Sequence, residues 1–348
     1  MRAFTTRLGR SGDLAGWAAL TVVYLVWGST YLAIRIGVRG LPPLTLAGVR
    51  YLIAGLLLYP FAIRAGGTEA RREDKPGRKQ WLAVAVVAVL LPVCGNGGVT
   101  IAEQTLPSGV AAVLVATVPL WMVAFAWPID RSRPTARTAS GLAIGMAGVV
   151  VLAGLSGAVK PGGVLIVLFA SAAWGLGSVL SHRLALPGRT MLATAMEMLV
   201  AGAVLLAAAA VHGDFSRIAW SHVSGSTWLA LAYLIVPGSI IAFSAFGFAL
   251  GRLPLTTVST YAYVNPVVAV LLGAVILSEP LTGWEAVGSA LVVVSVIVAR
   301  RPRRDAAEEP DASEVSEVSE VSDELSQSTN SPSSSSDRGS NPDAAARV

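Results

Sequence analysis

Apolar residues run through this chain in blocks of about twenty, each closed by a short polar turn. The blocks fall at 14–38, 42–63, 81–102, 107–128, 138–156, 162–181, 190–211, 227–250, 254–277 and 283–299. A helix rises about 1.5 Å per residue, so a block of this length crosses a hydrocarbon core roughly 30 Å thick. The pattern predicts an all-α membrane protein of ten transmembrane helices. Residues 1–13 carry Arg2, Arg7 and Arg10 ahead of the first block, as a secretory leader does. That block runs on without a small-residue cleavage site, so it reads as a retained helix.

The blocks also repeat. At a shift of 147 residues, without a gap, Gly16 meets Gly163 and Trp27-Gly28 meets Trp174-Gly175. Further along, Trp81 meets Trp228, Leu106-Pro107 meets Leu253-Pro254, Pro119 meets Pro266, Thr135 meets Thr282 and Gly141 meets Gly288. The first repeat covers 14–156 and the second 162–299. Each holds five blocks, and an odd number inserts the second copy upside down. Inverted repeats of this kind build transporters whose site lies near the midplane, where the halves meet.

Charge orients the bundle. Lys and Arg collect in cytoplasmic loops. With the N-terminus inside, the inner segments hold 19 of them, and the outer loops hold only Arg39, Lys160 and Arg217. Both termini are therefore expected in the cytoplasm. Only 14% of the residues are charged, against about 25% in soluble domains. The basic balance reflects these loops, so no nucleic-acid partner is expected. The tail 305–348, rich in Ser and Glu with Ser-Glu-Val repeated at 313–321, cannot bury enough apolar surface to fold and is expected to be disordered.

Candidate chemistry is sparse. Cys94 is the one cysteine, and His182, His212 and His222 form no ligand pattern, so no metal is expected. No phosphate-binding loop, zinc-protease pair or nucleophile elbow is present, which argues against an ATP-driven pump or a hydrolase and for a protein without cofactors. Tyr24, Trp27 and Tyr31 share one face of the first helix, and Trp174 repeats Trp27. Trp27 lies mid-span, so these rings are candidates to line a substrate cavity rather than an interfacial belt. Asn96, in a Gly-rich stretch of the third helix, and Tyr263 and Asn265, beside Pro266, add polar groups at mid-depth. Asn96 can equally bond a neighbouring helix. Pro119 and Pro266 each free a backbone carbonyl, that of Val115 and of Ala262. Both are candidate hinges, or simple packing kinks. Charges within spans are costly and by default functional. Arg50 and Glu197, themselves 147 apart, lie deep. They are candidates for a coupling charge or a structural ion pair. Arg35, Glu103 and Glu285 fall near outer helix ends, where they can reach water.

The stretches Trp27-Gly-Ser-Thr-Tyr-Leu-Ala-Ile-Arg35, Pro42-Pro-Leu-Thr-Leu-Ala-Gly-Val-Arg50, Gly95-Asn-Gly-Gly98, Leu106-Pro-Ser-Gly-Val110, Thr260-Tyr-Ala-Tyr-Val-Asn-Pro266 and Ser278-Glu-Pro-Leu281 carry a resemblance to a known family. Over residues 14–300 the chain resembles the EamA family of the drug/metabolite transporter superfamily, and within it the YedA-like exporters. The resemblance implies secondary export of small metabolites, amino-acid-like or amphipathic, across the bacterial inner membrane, proton-linked or facilitated. It fixes neither substrate nor coupling ion, and the expected assembly is a monomer or homodimer. The alternative is a membrane scaffold or sensor, which would need an output domain beyond the tail.

Overall fold

The computed structural model describes residues 14–64, 76–130, 136–154, 160–250, 252–253, 255–258, 260–279 and 282–299. The segment 1–13, the tail 305–348 and the side chains of Tyr263 and Glu285 lie outside the described residues.

The described residues include ten long helices. These are α1 (Leu14–Gly37), α2 (Pro43–Arg64), α3 (Arg78–Ala102), α4 (Ser108–Ile129) and α5 (Ala136–Gly154). They continue with α6 (Pro161–Ser181), α7 (Thr190–His212), α8 (Gly225–Ala249), α9 (Tyr261–Leu277) and α10 (Gly283–Ala299). Seven of them, α1–α4 and α6–α8, are long and apolar enough to cross a membrane, and α5, α9 and α10 carry shorter apolar runs. Phe61, Leu165, Phe169, Leu229, Leu271 and Val275 point outward and are exposed. Such surface is unfavourable in water by about 25 cal/mol per Å² and suits lipid.

Two elements depart from the sequence pattern. The last block but one was expected from residue 254, yet α9 starts at Tyr261, preceded by a separate turn at Leu255–Val258. The Thr260 hydroxyl bonds the Thr257 carbonyl, a local bond that competes with helix continuation. In α4 the helix breaks at Ala116–Thr117. Pro119 offers no amide to the Val115 carbonyl, and the Thr117 hydroxyl takes the Leu114 carbonyl at 2.6 Å.

Packing follows the 147-residue shift contact by contact. A Cβ placed on Gly28 would meet Val268 of α9, and its copy on Gly175 would meet Trp121 of α4. Gly16 abuts Leu253, and Gly163 abuts Leu106. In the core, Gly55 of α2 lies against Leu199 of α7, and Gly202 of α7 against Leu52 of α2. α1 thus packs on α8 and α9, and α6 on α3 and α4. Each repeat lends its first helix to the other. The shift-related pairs themselves run antiparallel. Gly48 meets Leu206 while Gly55 meets Leu199, and Gly145 meets Ser295 while Gly148 meets Val292 of α10.

The third helix of each repeat loosens at the same place. α3 is π-helical over Val89–Gly97 and α8 over Val236–Ile241. Val89 and Val236 are again 147 apart. Pro92 and Pro237 sit inside these stretches and lack the amide an α-helix would use. Such π turns are rare and recur at functional positions.

Candidate functional site

The two π stretches converge on Arg50. Its side chain leaves α2 and is only 3% exposed. Nε donates to Ser239 Oγ at 2.9 Å, and Nη1 reaches Asn96 Oδ1 at 3.3 Å. Ser239 belongs to the α8 π stretch and Asn96 to that of α3, so one guanidinium joins both repeats. The Ser239 hydroxyl in turn donates to the Leu234 carbonyl at 2.9 Å. Both oxygens that hold Arg50 are neutral. Glu197 does not meet it; it stands on α7, half-buried, with no hydrogen bond or ion pair to Arg50.

One turn beyond Ser239 on α8, Phe243 begins an aromatic box. The Trp27 ring stands 5.1 Å from Phe243, 5.2 Å from Phe246 and 5.2 Å from Tyr261, with edge-on or tilted geometry. Edge-to-face packing of this kind is favourable beyond simple burial. Gly28 beside Trp27 lets α9 come close: a Cβ there would stand 3.3 Å from the backbone carbonyl of Asn265. Asn265 is buried, and its Oδ1 has no hydrogen-bond partner among the described residues. Tyr24 binds the Thr260 hydroxyl. Trp174, the copy of Trp27, lies in the other half with its ring 2.7 Å from where a Cβ on Gly95 would stand. Tyr31 packs on the cluster around Val99 and Leu114. The structure therefore joins Arg50 and Asn96 at the junction of the repeats, and places Trp27, Tyr24 and Asn265 along the seams of α1 with α8 and α9. It keeps Trp174 with the opposite seam and Glu197 apart. Pro119 lies at the α4 break, and Pro266 lies within α9 five residues after its start.

A second polar group closes one end of the bundle, and the sequence pattern did not reveal it. Glu103 was expected to reach water. Instead it follows α3 directly and is fully buried, with Arg35 of α1 and Glu279 after α9 close by. Neither of its carboxyl oxygens has a hydrogen-bond partner among the described residues. Arg35 of α1 donates to the backbone carbonyl of Glu103, and its Nε lies 3.8 Å from Glu279. Glu279 in turn accepts the Ser108 amide at 3.0 Å and the Ser108 hydroxyl at 2.7 Å, capping α4. The one hint in sequence was that Arg35, Ser108 and Glu279 stand in stretches at helix ends on the same side.

Comparison with known proteins fits this geometry. Residues 14–154 and 161–301 each match the EamA-like transporter family, two segments offset by the same 147 residues. The chain is 41% identical to the "Uncharacterized inner membrane transporter YedA" of Escherichia coli over 286 residues, covering 81% of this chain and 89% of that one. It is 25% identical over 293 residues to a Salmonella typhimurium protein named "Probable amino-acid metabolite efflux pump", covering 81% and 93%. A crystal structure shares the fold, with a TM-score of 0.57 and 24% identity over 84% of this chain and 98% of the other.

Proposed function

The chain belongs to the EamA-like transporter family, and from that premise we propose that it exports small metabolites, amino-acid-like or amphipathic, across the cell membrane by alternating access. All ten long helices span, as two five-helix repeats in opposite orientations. The antiparallel registers of α2 with α7 and of α5 with α10 support this. An axis along the helices would leave matched helices parallel; an axis across them reverses one. The 19-to-three charge bias supports cytoplasmic termini.

The observation that carries the reading is the junction at Arg50. A buried cation is held by neutral oxygens of both repeats, and one turn beyond Ser239 on α8 Phe243 packs on the Trp27 ring. Such a site offers one charged contact and an apolar face, which suits an amphipathic solute. Rocking the halves about it changes which side reaches it. Gene deletion and overexpression, compared on a panel of amino acids, their analogues and toxic amphiphiles, tests this. Overexpression should raise extracellular accumulation of, or resistance to, at least one compound. Equal accumulation and sensitivity across the panel would reject export.

A further inference from the structure

The closed end of the bundle holds more acid than its arginine can serve. Glu279 is a satisfied carboxylate. It faces Arg35 at 3.8 Å and receives both the amide and the hydroxyl of Ser108. Arg35 spends its other bond on the Glu103 backbone carbonyl. The Glu103 carboxyl, with no exposure, is left without a donor among the described residues. Around it stand Tyr31 and Arg35 from α1, Glu279 beyond α9 and, further off, Arg50 from α2. α6, which also packs on this part of α3, has no titratable residue along its length.

An ionised carboxylate buried without hydrogen bonds is strongly unfavourable. A neutral carboxyl is far less so. The arrangement seen therefore suits one negative charge, on Glu279, balanced by Arg35. Resting on the transport reading above, we propose that Glu103 is a proton-binding site whose occupancy closes the Arg35–Glu279 latch. The proton enters as carboxylate plus H⁺ giving carboxylic acid, and no other bond changes. When the proton leaves, the second carboxylate repels Glu279 and competes for Arg35. The end then opens until water reaches Glu103. On the proposed topology this is the outer end. This gives the protonatable role to Glu103 rather than to Glu197, which borders no such latch.

Distance measurement between spin labels tests this without knowledge of the substrate. The full chain carrying Cys94→Ser, with labels at exposed Arg39 and Gly283, is placed in lipid nanodiscs. Spectra are taken at about pH 5.5 and about pH 8.5, either side of the range open to a shifted carboxyl. The parent should favour the shorter distance at low pH and populate a longer one at high pH. Glu103→Gln should hold the shorter distance at both, Glu279→Gln the longer at both, and Glu197→Gln should respond like the parent. A parent without pH response, or a Glu103→Gln variant that keeps it, overturns the proposal. Should Glu103→Gln fail to elute as a folded protein, Glu103→Asp replaces it. Its transition midpoint should move, and an unmoved midpoint overturns the proposal equally. Because the readout is a distance, a failed latch and a failed export assay are separate results.

Discussion

Arg50 illustrates how one side chain ties distant parts of the chain together. Hydrogen bonds to a charged group contribute about 1.5–3 kcal/mol each. Arg50→Lys gives up the Nε contact to Ser239 and the planar fork, so the variant should melt several degrees lower in detergent while Ser239→Ala falls by less. Equal melting of all three proteins would show that the bonds are inert. Trp27→Ala should lower export at least tenfold, while Trp27→Phe retains most of it, because a ring is what Phe243 and Tyr261 pack against. Initial efflux rates decide it. The inward placement of Trp27 was legible because its spacing from Tyr24 and Tyr31 is helical. That of Glu103 was not. A helix-end acid looks wet in one dimension, and only the fold brings Arg35 of α1 and Glu279 after α9 close to it.

At the scale of elements, the helices were readable to within a few residues, except where hydroxyls rewired the backbone before α9. The prolines announced kinks, yet not that α3 and α8 would widen into π turns at matched positions. That form depends on what fills the space beside them. For α3 it is Trp174, seated where Gly95 has no side chain. Close approach between α2 and α7 rests on glycine in the same way. A Cβ on Gly55 would come 2.8 Å from the Leu199 amide nitrogen. Gly55→Val should therefore cost about 1–3 kcal/mol through overpacking. Gly247→Ala, which meets nothing within 4 Å, should be neutral or gain about 0.5–1 kcal/mol from helix propensity. Thermal unfolding followed by intrinsic tryptophan fluorescence reads both; a Gly55→Val protein as stable as the parent would refute the tight seam.

For the whole molecule, the offset of 147 residues was visible in paired tryptophans and reappears in paired contacts. What it could not show was the exchange of α1 and α6 between halves, since a repeat in sequence is silent on which copy a helix packs against. Orientation remains open to a direct check. A cytoplasmic reporter fused after Arg304 should be active and a periplasmic one silent, and the reverse outcome would invert the bundle. The latch at Arg35, Ser108 and Glu279 breaks the symmetry: the positions 147 residues away are His182, Leu255 and Ser132, none of them an acid. Two ends built from copies of one plan thus shut with unequal strength. Each 1.4 kcal/mol of that difference, about the scale of one polar contact, skews the dwell times roughly tenfold. On the proposed alternating-access cycle an empty carrier is no fair coin: it waits on one face, and its turnover is paced by how often it leaves.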